Sequence, residues 1–145
     1  MKIYLDACSL QRPFDDKTQV RILLESDAVL GILNYFEMNK IELINSDVLK
    51  YEIGRIPNNL RRLNSFNILN AADMYVKLNG TIEKNARIFL EKGILPLDAL
   101  HLASAEYGKA DYFCTCDDKL IVRAKKLNLK LKIVTPIELI GEIEK

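Results

Sequence analysis

The chain has 145 residues, of which 49% are hydrophobic, and this is enough for the core of one domain spanning residues 1–145. Its formal net charge of +1 argues neither for nor against a polyanionic partner, but a nucleic-acid binder with this balance must concentrate its basic groups locally. Three cysteines exclude a disulfide framework, and no signal-peptide core or bilayer-length apolar run is present, so we expect a cytoplasmic protein without membrane contact.

Strand and helix signals alternate along the first half of the chain. Short apolar runs predict buried strands, apolar residues at helical spacing predict helices, and Pro13 between polar residues predicts a loop. The expected elements are a strand at 2–5, a loop at 11–16, a helix from 18 to about 38, a strand at 41–45, a helix from 46 or 47 to about 55 and a helix that opens at Pro57 and continues through Phe66.

The alternation continues in the second half. Gly93 and Gly108 predict helix ends, Pro96 predicts a first helical position, and residues 135–138 have the form of a capping box. The expected elements are a strand at 74–78 (or instead at 67–69), a turn at 79–80, helices at 81–91 and 96–107, a strand at 111–115, a helix from 117 to about 127 and a strand at 131–134.

Strands that alternate with helices require crossover connections, which are typical of a parallel sheet covered on both faces. We therefore expect an α/β fold, a three-layer sandwich whose central sheet is mainly parallel and has about five strands. In such sheets, functional side chains lie beyond the carboxyl ends of the strands, near the point where the strand order reverses.

Asp98 is the only acid in the apolar segment 93–105, and a buried lone carboxylate needs a partner charge, a metal ion or a proton. Three other acids lie near expected strand ends or on the helices that follow them: Asp6, Glu52 and Asp117. If the fold gathers these four acids, they form an oxygen-rich pocket that suits a hard divalent cation.

Each acid also has an ordinary structural explanation. Asp6 could bond to its own turn, Glu52 could pair with Arg55, Asp98 could favour a helix dipole, and Asp117 could cap a helix. Four unrelated structural roles at one sheet edge explain the placement of these acids less well than one shared site does. His101, one helical turn from Asp98, could bond to that carboxylate, although a packed core histidine is the favoured interpretation.

Three further polar residues lie near the expected site. The hydroxyls of Ser9 and Thr115 could orient a carboxylate or a bound water. Asp118 is expected either in solvent or as an alternate for Asp117. The cysteines are expected to be small core residues, because zinc sites combine such thiols with more cysteine or histidine ligands.

Four segments resemble the motifs of the PIN-domain family, whose members are mostly metal-dependent nucleases. These segments are Tyr4-Leu5-Asp6, the stretch from Ser46 to Glu52, the stretch from Pro96 to Ala105 and Thr115-Cys116-Asp117. The resemblance spans nearly the whole chain. The size of the chain is similar to that of the VapC-type toxins of toxin–antitoxin pairs. Cys8 departs from the family pattern, since many members have Ser, Thr or Asn two positions after the first acid.

The resemblance implies a metal-dependent endoribonuclease. It implies that Asp6, Asp98 and Asp117 hold Mg2+ or Mn2+ and that Glu52 binds a second ion or orients a water. It also implies that RNA is the substrate, with Arg12, Lys50 and Arg55 contacting its phosphates. An antitoxin is the expected protein partner, and a homodimer is the expected assembly. The alternative is a catalytically weak or inactive PIN-like module that binds RNA or a protein. A phospho-acceptor domain is disfavoured, because Val134-Thr135-Pro136 at the end of the last strand contains no lysine.

Overall fold

A central parallel sheet organises the fold of this computed structural model, which describes residues 1–145. Its five strands are β1 (Lys2–Leu5), β2 (Glu42–Ser46), β3 (Met74–Val76), β4 (Tyr112–Cys114) and β5 (Lys132–Val134). They lie in the order β3-β2-β1-β4-β5, and every neighbouring pair is parallel. The expected parallel α/β sandwich is therefore confirmed.

Eight α-helices connect and cover these strands. They are α1 (Ala7–Gln11), α2 (Val20–Glu37), α3 (Asp47–Gly54), α4 (Asn59–Asn70), α5 (Gly80–Glu91), α6 (Pro96–Tyr107), α7 (Asp118–Lys125) and α8 (Pro136–Ile143). A 3-10 turn at Arg12–Phe14 joins α1 to the segment before α2. None of these helices combines the length and apolar character that a membrane crossing requires.

Side chains at the helix starts explain where several helices begin. Ser46, Asn58 and Asn79 each accept a hydrogen bond from a backbone amide in the first turn of the following helix. Thr135 forms the predicted capping box with Glu138, and Pro136 takes the first helical position. Pro96 likewise opens α6, which ends at Tyr107 as predicted.

Three local predictions are wrong. The segment 11–16, expected as a loop, contains the end of α1 and the 3-10 turn at Arg12–Phe14. Pro57 does not open α4, because Asn58 is its cap and the helix begins at Asn59. The turn expected at 79–80 is instead the cap Asn79 and the first residue of α5. The strand expected at 74–78 is confirmed at Met74–Val76, and its alternative at 67–69 lies inside α4.

The core is built on the two central strands. Tyr4 of β1 and Phe113 of β4 are both fully buried, and their rings stack with centroids 5.4 Å apart. Strand order reverses between β1 and β4, since β2 and β3 lie on one side of β1 while β4 and β5 lie on the other. The carboxyl ends of β1 and β4 therefore open at the topological switch point, where α/β proteins bind ligands.

Candidate active site

Asp6 lies at the centre of this edge, directly after β1. Only 6% of the residue is exposed. Its Oδ1 accepts a hydrogen bond of 2.8 Å from the amide of Ala7, and its Oδ2 accepts one of 3.0 Å from the hydroxyl of Thr115, which follows β4. Burial raises the pKa of Asp6, His101 lowers it, and Glu52 raises it again. The aspartate therefore lies in a desolvated position where a nearby positive charge would be stabilising.

His101 connects Glu52 to the core. Its Nε2 lies 2.7 Å from Oε1 of Glu52 and 3.9 Å from Oδ1 of Asp6. On the other side of the ring, Nδ1 lies 2.6 Å from the hydroxyl of Tyr4, which in turn lies 2.8 Å from Oγ of Ser46. His101 is fully buried, as expected of a core histidine, but its contact with Glu52 was not predicted.

The ligand atoms of three residues converge closely enough for one metal ion. One oxygen each from Asp6 and Glu52 and one ring nitrogen of His101 all lie within 4.8 Å of one another. Carboxylate oxygens are the ligands that Mg2+ and Mn2+ prefer, so the donor chemistry fits the cation that the sequence predicts. Because Nε2 of His101 already faces Glu52, the two carboxylates are the better candidates for ligands.

Asp98 belongs to the same electrostatic environment. It lies half-buried in the first turn of α6. Its pKa is raised to about 6, mainly by burial and then by the charge of Asp6; His101 lowers it, and Asp117 and Glu52 also raise it. The other three predicted acids therefore all act on this one carboxyl group. Mutual repulsion of this kind is relieved by a proton or by a bound cation.

Asp117 has a more exposed position at the start of α7. Its Oδ1 caps the helix by accepting from the amides of Lys119 at 3.0 Å and Leu120 at 3.2 Å. Its own amide donates to the hydroxyl of Thr115 at 3.2 Å, and that hydroxyl donates to Asp6. Asp117 is thus a helix cap and also a neighbour of the acid cluster, while its Oδ2 makes no hydrogen bond.

The two other polar candidates near these acids have partners of their own. Asp118 is exposed and forms a two-pronged ion pair with Arg21, with distances of 2.6 and 2.7 Å. Ser9 is fully buried, and its hydroxyl donates to the carbonyl of Cys114 at 3.2 Å. Neither contact is directed at a carboxylate of the cluster, in contrast to the contact that Thr115 makes.

The cations expected to meet substrate phosphates are dispersed. Arg12 pairs with Asp15 and Glu25, both at 3.0 Å. Arg55 lies over the ring of Tyr51, 5.3 Å from its centroid, and Lys50 is exposed on the same helix, α3. Arg12 is therefore already neutralised by acids, whereas Lys50 and Arg55 make no ion pair.

Cys8 lies against the central aspartate. Its Sγ is 3.5 Å from Oδ2 of Asp6 and 3.3 Å from Oγ1 of Thr115, and it accepts a hydrogen bond of 3.3 Å from the amide of Cys116. A hydrogen bond to Cys116, burial and the charge of Asp6 all raise the pKa of this thiol. Cys8 is therefore a neutral thiol beside the carboxylate.

Comparison with known proteins identifies the family and agrees with the fold. A family model described as PIN domain matches residues 3–127, and the chain belongs to this family. The crystal structure of FitAcB from Neisseria gonorrhoeae is similar in fold, with a TM-score of 0.58 and 12% identity over 92% of this chain and 97% of that one. VapBC2 from Rickettsia felis, bound to a DNA fragment from their promoter, is similar with a TM-score of 0.58 and 12% identity over 93% of this chain and 98% of that one. No curated protein matches this chain in sequence.

Sequence reasoning missed the role of Tyr4. This tyrosine and His101 are 97 positions apart, so no local pattern joins them. One signal was available: Tyr4 and Asp6 are two positions apart at the end of a strand, a spacing that directs both side chains to the same side. A polar hydroxyl in an otherwise apolar central strand also requires a buried partner.

Proposed function

We propose that this protein is a metal-dependent endoribonuclease of the VapC type, which cleaves RNA phosphodiester bonds through Asp6, Glu52, Asp98 and Asp117. The observation that carries this proposal is the environment of Asp98. Its pKa is raised to about 6 by burial and then by Asp6, with further contributions from Asp117 and Glu52. Acids that raise one another's pKa in a cleft are typical of sites that hold a cation.

Asp6, Asp98 and Asp117 are the proposed ligands of Mg2+ or Mn2+, directly or through water. Glu52 would bind a second ion or orient the attacking water, and its bond to His101 supports that role by fixing the carboxylate. When bound, the cation would neutralise the carboxylates and polarise the phosphodiester for an in-line displacement. Thr115 orients Asp6, whereas Asp118 pairs with Arg21 and is not among the proposed ligands.

The comparisons support a toxin-like role. The motifs of this chain resemble those of VapC-type toxins, and one of the two similar structures is VapBC2. We therefore propose one PIN domain over residues 1–145, a cytoplasmic location, an antitoxin as protein partner and a homodimer as the assembled form. Lys50 and Arg55 are the proposed phosphate contacts near Glu52, because neither forms an ion pair. Arg12 would first have to leave its acids.

A second candidate function follows from Cys8. The thiol contacts Oδ2 of Asp6 at 3.5 Å, at a position where many family members have a hydroxyl or an amide. A thiol is a poorer partner than a hydroxyl for Mg2+ or a phosphate oxygen. If it weakens the site, the chain would be a PIN-like module that binds RNA or a protein without cutting.

Cleavage of a mixed RNA pool separates these two functions. The wild type is incubated with Mg2+, with Mn2+ or with EDTA, beside Asp6→Asn and Asp98→Asn. Asp118→Asn serves as the matched control, because it removes an equal charge from a residue that pairs with Arg21. Metal-dependent cleavage that only the first two substitutions abolish supports the nuclease. A folded wild type that binds metal but cleaves no RNA or DNA would favour the binding module.

A further inference from the structure

The positive charge of this protein is concentrated in one segment. Residues 119–132 contain six basic residues and no acid, which leaves 15 basic and 20 acidic residues in the rest of the chain. We call this segment the basic strip, and its cations are Lys119, Arg123, Lys125, Lys126, Lys130 and Lys132. A chain of net charge +1 thus has the local concentration of cations that a nucleic-acid binder needs.

The cations of the basic strip are free to meet a ligand. All six side chains are exposed, and none takes part in an ion pair within 4.0 Å. Other arginines differ, since Arg12, Arg21 and Arg61 are all paired with carboxylates. An exposed cation that forms no ion pair keeps most of its attraction for an anion. Lys132 also lies over the ring of Tyr112, 5.9 Å from its centroid, and acts electrostatically on Glu142.

The basic strip begins at the acid cluster. Helix α7 starts directly after Asp117, and its buried residues Leu120, Ile121 and Ala124 fix it against the fold. Lys119, Arg123 and Lys126 follow one another at intervals of four and three positions, so they lie along one face of the helix. The rise of an α-helix separates the first from the last by about 10 Å.

The strip then crosses to the opposite edge of the sheet. Helix α7 connects the carboxyl end of β4 to the amino end of β5, so its direction carries the cations away from the acids. At that far edge, an open groove of about 1070 Å³ is lined by Lys109, Lys130 and Lys132 together with Asn128 and Tyr112. Glu106 and Asp111 also line the groove, and Asp111 accepts a hydrogen bond from the amide of Lys2.

We propose that the basic strip binds the phosphodiester backbone of the RNA on one side of the bond to be cleaved. This inference rests on the proposed function, which brings a phosphodiester to the acids where α7 begins. The acid cluster repels phosphates, so a substrate needs an anchor of opposite charge beside it. Cations without adjoining stacking aromatics on α7 contact backbone rather than bases, and they therefore favour RNA irrespective of its sequence.

Binding of a labelled single-stranded RNA at several salt concentrations tests the strip. The full chain carries Asp98→Asn, so that the RNA stays intact, and the test variant adds Lys119→Gln, Arg123→Gln and Lys126→Gln. The matched control adds Lys84→Gln, Arg87→Gln and Lys92→Gln, which remove the same charges from exposed residues on and after α5. Melting temperatures show that both variants are folded.

We expect the strip variant to bind RNA about tenfold more weakly than the parent. The slope of log binding constant against log salt concentration should decrease in magnitude by about 2, since each of the three lost phosphate contacts to a single strand contributes about 0.7. The control should match the parent. If both variants lose affinity equally, only net charge matters and the strip is not a site. Equal binding of a polyglutamate peptide would assign it to acidic proteins instead. If the parent binds no RNA, both the strip and the proposed function are wrong. If the parent binds RNA and the strip variant binds it equally well, only the strip is wrong.

Discussion

Nε2 of His101 lies 2.7 Å from Oε1 of Glu52, while Nδ1 of the same ring lies 2.6 Å from the hydroxyl of Tyr4. The imidazole therefore joins a fully buried tyrosine to a half-buried carboxylate at the cluster. Oγ of Ser46 accepts from the amide of Leu49, so the serine proton is free to donate to Tyr4. Each proton then has one acceptor if Tyr4 donates to Nδ1 and Nε2 donates to Glu52.

Tyr4→Phe removes the hydroxyl that fixes this arrangement. We expect the kcat of RNA cleavage to fall about tenfold with little change in KM, because Glu52 loses orientation while the substrate contacts remain. His101 is the only histidine, so its 15N chemical shifts report one ring without ambiguity. In the wild type they should show a proton on Nε2 and none on Nδ1, and in Tyr4→Phe this preference should weaken.

Tyr112→Phe is the matched control for that substitution. The hydroxyl of Tyr112 lies 3.3 Å from Glu142, and the residue opens β4 at the edge of the sheet opposite the acids. Its loss should leave both kcat and the state of His101 unchanged. Our interpretation of the Tyr4–His101–Glu52 chain is wrong if the two phenylalanine variants behave alike.

The sequence predicts the fold well where local signals and burial agree. Helix α6 has Pro96 at its start and Gly108 after its end, and both boundaries were predicted. Helix α1 was missed because it has only five residues, and a helix of that length is stabilised by its tertiary surroundings rather than by propensity. Asp6, buried at the end of β1, caps this helix.

The site was predictable only in part, for a related reason. Asp98 stands out in the sequence because it is the single acid of an apolar segment. The bond between His101 and Glu52 joins residues 49 positions apart, and it depends on how α3 and α6 pack. The neutralisation of Arg12 by Glu25 depends in the same way on α2. Local patterns contain no information on such contacts.

Asp98→Asn should change the pH dependence of stability. Because burial and then the charge of Asp6 raise the pKa of Asp98 from 3.8 to about 6, the folded state binds its proton more tightly than the unfolded state does. The stability of the metal-free protein therefore falls as pH rises from about 4 to about 6. Removing the charge should raise the free energy of unfolding at pH 7 by about 1 kcal/mol, a value reduced for solvent screening of a half-exposed group.

Urea unfolding in EDTA at about pH 4 and pH 7 measures this change. At the lower pH the variant and the wild type should coincide. Asp118→Asn is expected to behave in the opposite way, since Arg21 lowers the pKa of Asp118 and the ion pair is lost with the charge. A loss of stability at pH 7 in Asp98→Asn would contradict the repulsion inferred at the cluster.

Divalent cations should stabilise the protein in a pH-dependent manner. Mg2+ or Mn2+ binds deprotonated carboxylates, so the rise in melting temperature should be large at pH 7.5 and small at pH 5, on either side of the Asp98 pKa of about 6. Asp6→Asn should lose the rise at both pH values, and Asp118→Asn should retain it. A rise that survives in Asp6→Asn would place the metal elsewhere.

Cys8→Ser should strengthen the site. The thiol lies 3.5 Å from Oδ2 of Asp6 and 3.3 Å from Oγ1 of Thr115, and a hydroxyl at this position is a stronger hydrogen-bond donor to the carboxylate. One additional hydrogen bond of ordinary strength corresponds to an increase of about fivefold in Mg2+ affinity. Calorimetric titration with Mg2+ measures this affinity, and Cys8→Ala separates a gained hydroxyl from a lost sulfur. If serine and alanine give the same affinity as cysteine, residue 8 does not influence the metal site, and the second candidate function loses its support.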